Sequence, residues 1–143
     1  GENEEEFRAP SARILVVDDV EVNLKVTAGL LNRTEMTVTT AISGREALEI
    51  LERESFDVIL LDHMMPEMDG VEVLREIRKT DKETPIIVIT ANALSGVKEE
   101  YLELGFTDYI SKPIKPAELK KLLIKHMPEQ KIKSRNINAE KEK

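Results

Sequence analysis

The chain contains no cysteine. That excludes disulfides, thiolate zinc sites, iron–sulfur clusters and thiol catalysis, and it suits a reducing compartment. Histidine is nearly as scarce. His63 and His126 are the two present, far apart, so a histidine-rich metal centre is ruled out. No apolar run approaches the roughly 18 residues that a membrane-spanning helix needs. The opening residues, Gly1 to Arg8, are acidic and polar and do not read as a signal peptide. Positive charge is in deficit: 21 Lys and Arg stand against 28 Asp and Glu, a formal charge of −7. A broad nucleic-acid surface is therefore not expected. No Gly-Lys-Ser/Thr occurs, so there is no P-loop, and no Gly-x-Gly-x-x-Gly turn marks a dinucleotide site.

What is present fits one domain. A chain of 143 residues can bury about two thirds of the surface it exposes when unfolded. Residues 1–11, with Glu2, Glu4, Glu5 and Glu6, read as a flexible tail or an expression remnant. Residues 129–143, with Lys131, Lys133 and Arg135, read the same way, as a polar, solvated tail. The folded unit is then residues 12–128.

Inside it, apolar runs alternate with helical patterns. Ile14 to Val17, Val58 to Leu61 and Ile86 to Ile89 are apolar at every position, as strands buried on both faces are. Met36 to Ala41 alternates apolar residues with Thr, as an edge strand does, and Thr107 to Ile110 is the fifth strand. Between them, Leu24, Thr27, Ala28 and Leu31 share a helix face, as do Gly44, Ala47, Leu48 and Leu51 behind a Ser43–Glu46 capping box. Val71, Leu74 and Ile77 mark a third helix. Leu94, Val97, Tyr101 and Leu104 mark a fourth that Gly105 ends, and Leu119, Leu122 and Leu123 mark a fifth. Five β-α units with right-handed crossovers predict an α/β, flavodoxin-like (βα)5 three-layer sandwich. Its parallel five-stranded sheet has strand order 2-1-3-4-5.

Ligands of such sheets sit at the carboxyl ends of the strands. Asp18 and Asp19 end the first strand, Asp62 the third and Thr90 the fourth, and Lys112-Pro113 follows the fifth. Carboxylates about 4 Å apart repel by roughly 4 kcal/mol per pair at an effective dielectric of 20. The cluster therefore calls for protons or a cation, and an all-oxygen donor set suits Mg²⁺. With a lysine and a hydroxyl opposite, it suits phosphoryl transfer, and Asp62 is the natural nucleophile.

The stretches Val16-Val17-Asp18-Asp19, Leu60 to Gly70, Ile89 to Ala93 and Asp108 to Ile114 resemble the receiver domain of two-component response regulators. Val17 to Asn23 with Thr90 to Ala93 is most like the receivers attached to hybrid sensor histidine kinases. The resemblance implies that Asp62 accepts a phosphoryl group from a phosphohistidine on a histidine kinase or histidine phosphotransfer protein. It implies that Asp18, Asp19, Asp62 and the Met64 carbonyl serve Mg²⁺, with Mn²⁺ as an alternative. It also implies that Thr90, the Ala91 N–H and Lys112 bind the phosphoryl group, with Thr90 and Lys112 sharing the catalysis with Asp62. The Lys112–Pro113 bond is expected to be cis. Tyr109 is expected to follow Thr90 as a switch, altering an α4-β5-α5 surface from about Ser95 to Met127. Met64 and Asn92 stand where phosphoryl lifetime is modulated. The domain is expected to be cytoplasmic, alone or as the cytoplasmic part of a membrane-anchored sensor kinase, a monomer or weak dimer, and to contact neither nucleic acid nor membrane. A stand-alone regulator and a non-phosphorylated pseudo-receiver are the alternatives.

Each residue also has a plainer reading. Asp18 and Asp19 can cap the first helix. Asp69-Gly70 reads as a turn, His63 as an exposed loop residue, and Tyr109 as packing on the sheet. His126 reads as a cation in the last turn of the final helix, and Met64, Met65 and Met68 as loop packing and partner surface.

Overall fold

The computed structural model describes residues 7–91 and 96–133. Strand and helix alternate through it. β1 (Arg13–Val17), α1 (Glu21–Leu30), β2 (Thr37–Ala41), α2 (Gly44–Leu51) and β3 (Val58–Asp62) form the first half. α3 (Gly70–Arg78), β4 (Ile86–Thr90), α4 (Val97–Leu104), β5 (Asp108–Ser111) and α5 (Pro116–His126) complete it. The sheet is parallel throughout, in the order β2-β1-β3-β4-β5 expected from the sequence.

The side-chain period of two divides each central strand between two cores. Ile14, Val16, Val58 and Leu60 point to one face, where Leu24 of α1 and Leu119 and Leu123 of α5 cover them. Leu15, Val17, Ile59 and Leu61 point to the other, against Ala47 of α2, Val73 and Leu74 of α3 and Tyr101 of α4. Each fully buried aliphatic side chain contributes about 1.5–3 kcal/mol, so these two layers dominate stability. β2 lies at the edge, and its Thr-rich sequence is half-exposed.

The helix ends are set locally. Ser43 Oγ accepts from Glu46 N at 3.0 Å, but Glu46 Oε1 reaches back to Ile42 N at 2.8 Å, one residue beyond the expected capping box. Asp69 is more than a turn residue. It caps α3 in a reciprocal box with Glu72, and the Asp-x-x-Glu spacing was the readable sign of it. Gly105 ends α4 at φ 120°, where a side chain would be strained. Leu94, Asn92 and Ser95 lie outside the described residues.

The segments expected to be tails are partly packed. Phe7, 1% exposed, and Ala9 lie in the α1/α5 core, and Ala9 N donates to the Thr34 carbonyl at 2.7 Å. Lys131 is not simply solvated: its ammonium holds both oxygens of Asp57 at 2.9 and 3.1 Å. The Lys133 amide donates to the Arg8 carbonyl at 2.7 Å. Local composition could not show these pairings, because the partners are remote in sequence. Arg135 lies outside the described residues.

His126 does more than face a helix dipole. Its Nε2 lies 2.9 Å from Asp108 Oδ2, and the Tyr109 amide donates to Asp108 Oδ1 at 2.8 Å. Burial alone would raise the Asp108 pKa. The His126 and Tyr109 hydrogen bonds, with the charges of His126 and Lys125, outweigh it and hold the carboxyl below its usual value. A depressed pKa means that this stabilisation is present above the ordinary Asp value near 3.9 and is lost as pH falls through the lower one. Asp108→Asn should therefore cost about 1–2 kcal/mol in urea unfolding at pH 7. The gap to wild type should close as the pH falls below the ordinary Asp value.

Candidate functional site

The strand register builds the site. Val17 of β1 pairs with Leu61 of β3, and an aspartate follows each. Asp62 pairs with Ile89, and Thr90 pairs with Ser111, which Lys112 follows. Asp18, Asp62, Thr90 and Lys112 thus reach one edge of the sheet because their strands end at one level. Gly70, opening α3, closes the floor of the site. Its amide donates to the His63 carbonyl at 2.7 Å, and a Cβ placed on it would lie 2.5 Å from the Asp62 carbonyl oxygen.

Oxygens of Asp18, Asp19 and Asp62 all lie within 4.8 Å of one another. Asp18 and Asp62 are each 3% exposed, and Asp19 is half-buried. Asp18 also does local work: Oδ1 accepts from Val20 N at 2.9 Å and Oδ2 from Asn23 Nδ2 at 3.2 Å. The plainer reading of Asp18 as the cap of α1 does not hold: the N-cap is Val20, and α1 has no side-chain cap hydrogen bond. Lys112 Nζ lies 3.2 Å from Asp62 Oδ2. Burial pushes the Asp62 pKa up, the Asp18 charge pushes it further, and Lys112 only partly offsets them. A carboxylate in this position is held against its electrostatic preference. The donors are all oxygen and one of the acids opens to solvent, so the set fits a small, hard divalent cation.

Thr90 is buried at the end of β4, and Ala91 beyond it is exposed. The Lys112 amide donates to the Thr90 carbonyl at 2.8 Å, which ties the ends of β4 and β5 together. The Lys112–Pro113 bond is cis, as expected. Met64 is 71% exposed beside the cluster, whereas Met65 is buried.

The aromatic that meets Thr90 is one the sequence did not mark for it. Tyr109, expected to accompany Thr90, is half-buried and lies under the Lys98 ammonium, 5.7 Å from its ring centroid. The phenol bonded to Thr90 is that of Tyr101 on α4, whose hydroxyl donates to Thr90 Oγ1 at 3.0 Å. The physical reason is the helix register: α4 turns Tyr101 inward toward the end of β4. His63 is no exposed loop residue either. It is half-buried, with Nδ1 2.8 Å from the Tyr101 hydroxyl. The sequence marked Tyr101 only as one apolar position on a helix face.

Comparison with known proteins agrees with the fold. Residues 14–124 match the family model described as the response regulator receiver domain. The chain is 37% identical over 129 residues to the signal transduction histidine-protein kinase BarA of Escherichia coli. That match covers 89% of this chain and 14% of BarA, so the chain spans a small part of that relative's length. The receiver domain of the sensor histidine kinase PA1611 from Pseudomonas aeruginosa, solved with a magnesium ion in its active-site cleft, is similar at 39% identity and a TM-score of 0.73. The alignment covers 81% of this chain and 97% of that one. The chemotaxis protein CheY4 of Vibrio cholerae is similar at 34% identity and a TM-score of 0.75, with 81% and 98% covered.

Proposed function

Because the chain belongs to the response regulator receiver family, we propose that it takes a phosphoryl group from a phosphohistidine partner onto Asp62. An Asp62 carboxylate oxygen attacks phosphorus. The new P–O bond forms as the P–N bond breaks, and the imidazole leaves and picks up a proton from solvent. Asp18, Asp19, Asp62 and the Met64 carbonyl would hold Mg²⁺, or Mn²⁺ in its place, which when bound neutralises the acids and the transferring oxygens. Lys112, already 3.2 Å from Asp62, takes one phosphoryl oxygen. The Thr90 hydroxyl and the Ala91 amide take the others. The added charge draws Thr90 and Lys112 inward, Tyr109 turns into the space vacated, and the surface of α4, β5 and α5 changes its population of shapes.

The observation that carries this reading is Asp62 itself: a buried carboxylate with raised pKa, faced by two acids and one lysine. The donor is a histidine kinase or histidine phosphotransfer protein. The similarity to BarA and to the PA1611 receiver favours the receiver of a hybrid sensor kinase, working on the cytoplasmic side. No helix among the described residues is long and apolar enough to cross a membrane.

The test is intact mass after incubation with acetyl phosphate. One phosphoryl group should be gained with Mg²⁺ and none without it. No gain from acetyl phosphate, and none from a phosphorylated histidine phosphotransfer protein, by a folded sample would sink the reading in favour of a pseudo-receiver.

A further inference from the structure

The hydroxyl group that the proposed reaction asks of Thr90 is held from a helix rather than from the sheet. Tyr101 is the buried residue of α4, 5% exposed, and its hydroxyl donates to Thr90 Oγ1 at 3.0 Å. The same phenolic oxygen lies 2.8 Å from His63 Nδ1. Its ring packs edge-on against His63 and Phe106, with centroids 5.4 and 5.7 Å away. The ring is therefore fixed by packing, and its hydroxyl is fixed by two polar partners on the ends of β3 and β4.

Proton counting orders the chain. A phenol has one proton to give. With that proton given to Thr90, His63 Nδ1 is the partner that carries a proton and donates it to Tyr101, and this ordering is part of what is proposed. The sequence of bonds runs from His63 Nδ1–H to Tyr101 O–H to Thr90 Oγ1. A hydroxyl that accepts from Tyr101 turns its own proton away from Tyr101, toward other acceptors. Chains of this kind polarise each member, so a Thr90 that accepts is also a better donor.

We propose that Tyr101 is a positioning residue that sets the Thr90 hydroxyl as a donor to the incoming phosphoryl group, with His63 setting the proton of Tyr101. This rests on the reading of Asp62 as the phosphoryl acceptor. It also makes α4 a direct mechanical partner of the reaction, because a shift of the Thr90 hydroxyl toward phosphate must stretch or carry the one buried side chain of that helix.

Tyr101→Phe keeps the ring and removes the bond. The rate of phosphorylation by saturating acetyl phosphate with Mg²⁺ should fall about 5-fold, the equivalent of one neutral hydrogen bond. In a Thr90→Ala background the same change should have no further effect, because the group it positions is gone. A purely structural tyrosine would instead slow both backgrounds by the same factor, and that result overturns the proposal, as does an unchanged rate in the wild-type background. A second reading needs no phosphoryl group. Imidazole nitrogen shifts, taken at alkaline pH, should show His63 as the Nδ1–H tautomer in the wild type and as a mixture in Tyr101→Phe. A dominant Nε2–H tautomer in the wild type would reverse the chain, with Thr90 giving its proton to Tyr101, and end the proposal. If the wild type takes up no phosphoryl group, the acceptor reading fails and this one with it. A wild type that is phosphorylated but indifferent to Tyr101→Phe overturns the positioning role alone.

Discussion

Asp62→Asn should abolish phosphoryl uptake and at the same time raise the melting temperature of the metal-free protein. The first effect follows from losing the nucleophile. The second follows from the electrostatics of the site. Asp62 is buried with the Asp18 and Asp19 carboxylates, their oxygens within 4.8 Å, and Lys112 offsets only part of the repulsion. At such separations each like-charge pair costs on the order of 3 kcal/mol at an effective dielectric near 20. The folded state therefore holds the Asp62 proton more tightly than the unfolded chain does. A raised pKa contributes stability below the unfolded value near 3.9, and that contribution is lost as pH rises through the folded one. The advantage of Asn over Asp should thus appear above about pH 4 and grow to a plateau on the neutral side. Added Mg²⁺ should reverse the order, because a ligand at 100 times its dissociation constant stabilises the protein that binds it by about 2.7 kcal/mol. Thermal unfolding across pH, with and without Mg²⁺, reads all of this. A variant that melts lower than wild type at neutral pH without metal would contradict the account of the acid cluster. One that still gained a phosphoryl group would remove Asp62 from the reaction.

Gly70→Ala should be the most damaging glycine-to-alanine change among the described residues. A Cβ at this position would lie 2.5 Å from the Asp62 carbonyl oxygen and 2.9 Å from His63 Cα. Both are backbone atoms at the end of β3, so no flexible side chain can yield. Relief requires α3 to move off the sheet or the end of β3 to bend. Forced overpacking of this kind costs about 1–3 kcal/mol. The functional loss should be larger, because a 1 Å displacement of a reacting group can cost about 100-fold in rate. Urea unfolding and the acetyl phosphate rate should therefore both fall, the rate far more. Gly29→Ala is the control. Gly29 is exposed on α1 with nothing within 4 Å of its added Cβ. There the change should be neutral or stabilise by up to about 1 kcal/mol through helix propensity. Equal effects at the two glycines would show that sterics at the end of β3 are not what Gly70 protects.

The sequence made the sheet and its acidic edge readable for one reason: each depends on residues within a strand or next to its end. Continuous apolar runs such as Val58 to Leu61 mark strands covered on both faces, and whatever follows them must stand at the carboxyl edge. Tyr101 shows where that logic stops. Its place on a helix face marked it as core, but the direction of its hydroxyl depends on how α4 docks, and no local pattern encodes docking. Tyr109 drew the switch assignment from the family resemblance alone, and no local pattern pointed to Tyr101 as the ring whose hydroxyl meets Thr90. Phe7 was hidden by four neighbouring glutamates, although one aromatic side chain is enough to seat a short segment in the core. Lys131 and Asp57 are remote in sequence, and charge composition alone gives no sign that they meet.

The hydrogen bond between the Lys133 amide and the Arg8 carbonyl brings the chain's way in and way out side by side. The Lys131–Asp57 contact pins the short 3-10 turn at residues 129–131 to the loop that feeds β3, at the end of the sheet away from the acids. A domain tied off in this way behaves like a bead hung on a loop of thread. Within a longer polypeptide, as the hybrid-kinase reading proposes, tension would first meet the contact at residues 8 and 133. The reacting edge would stay mechanically quiet while its neighbours move, and it could swing as a unit to meet a partner.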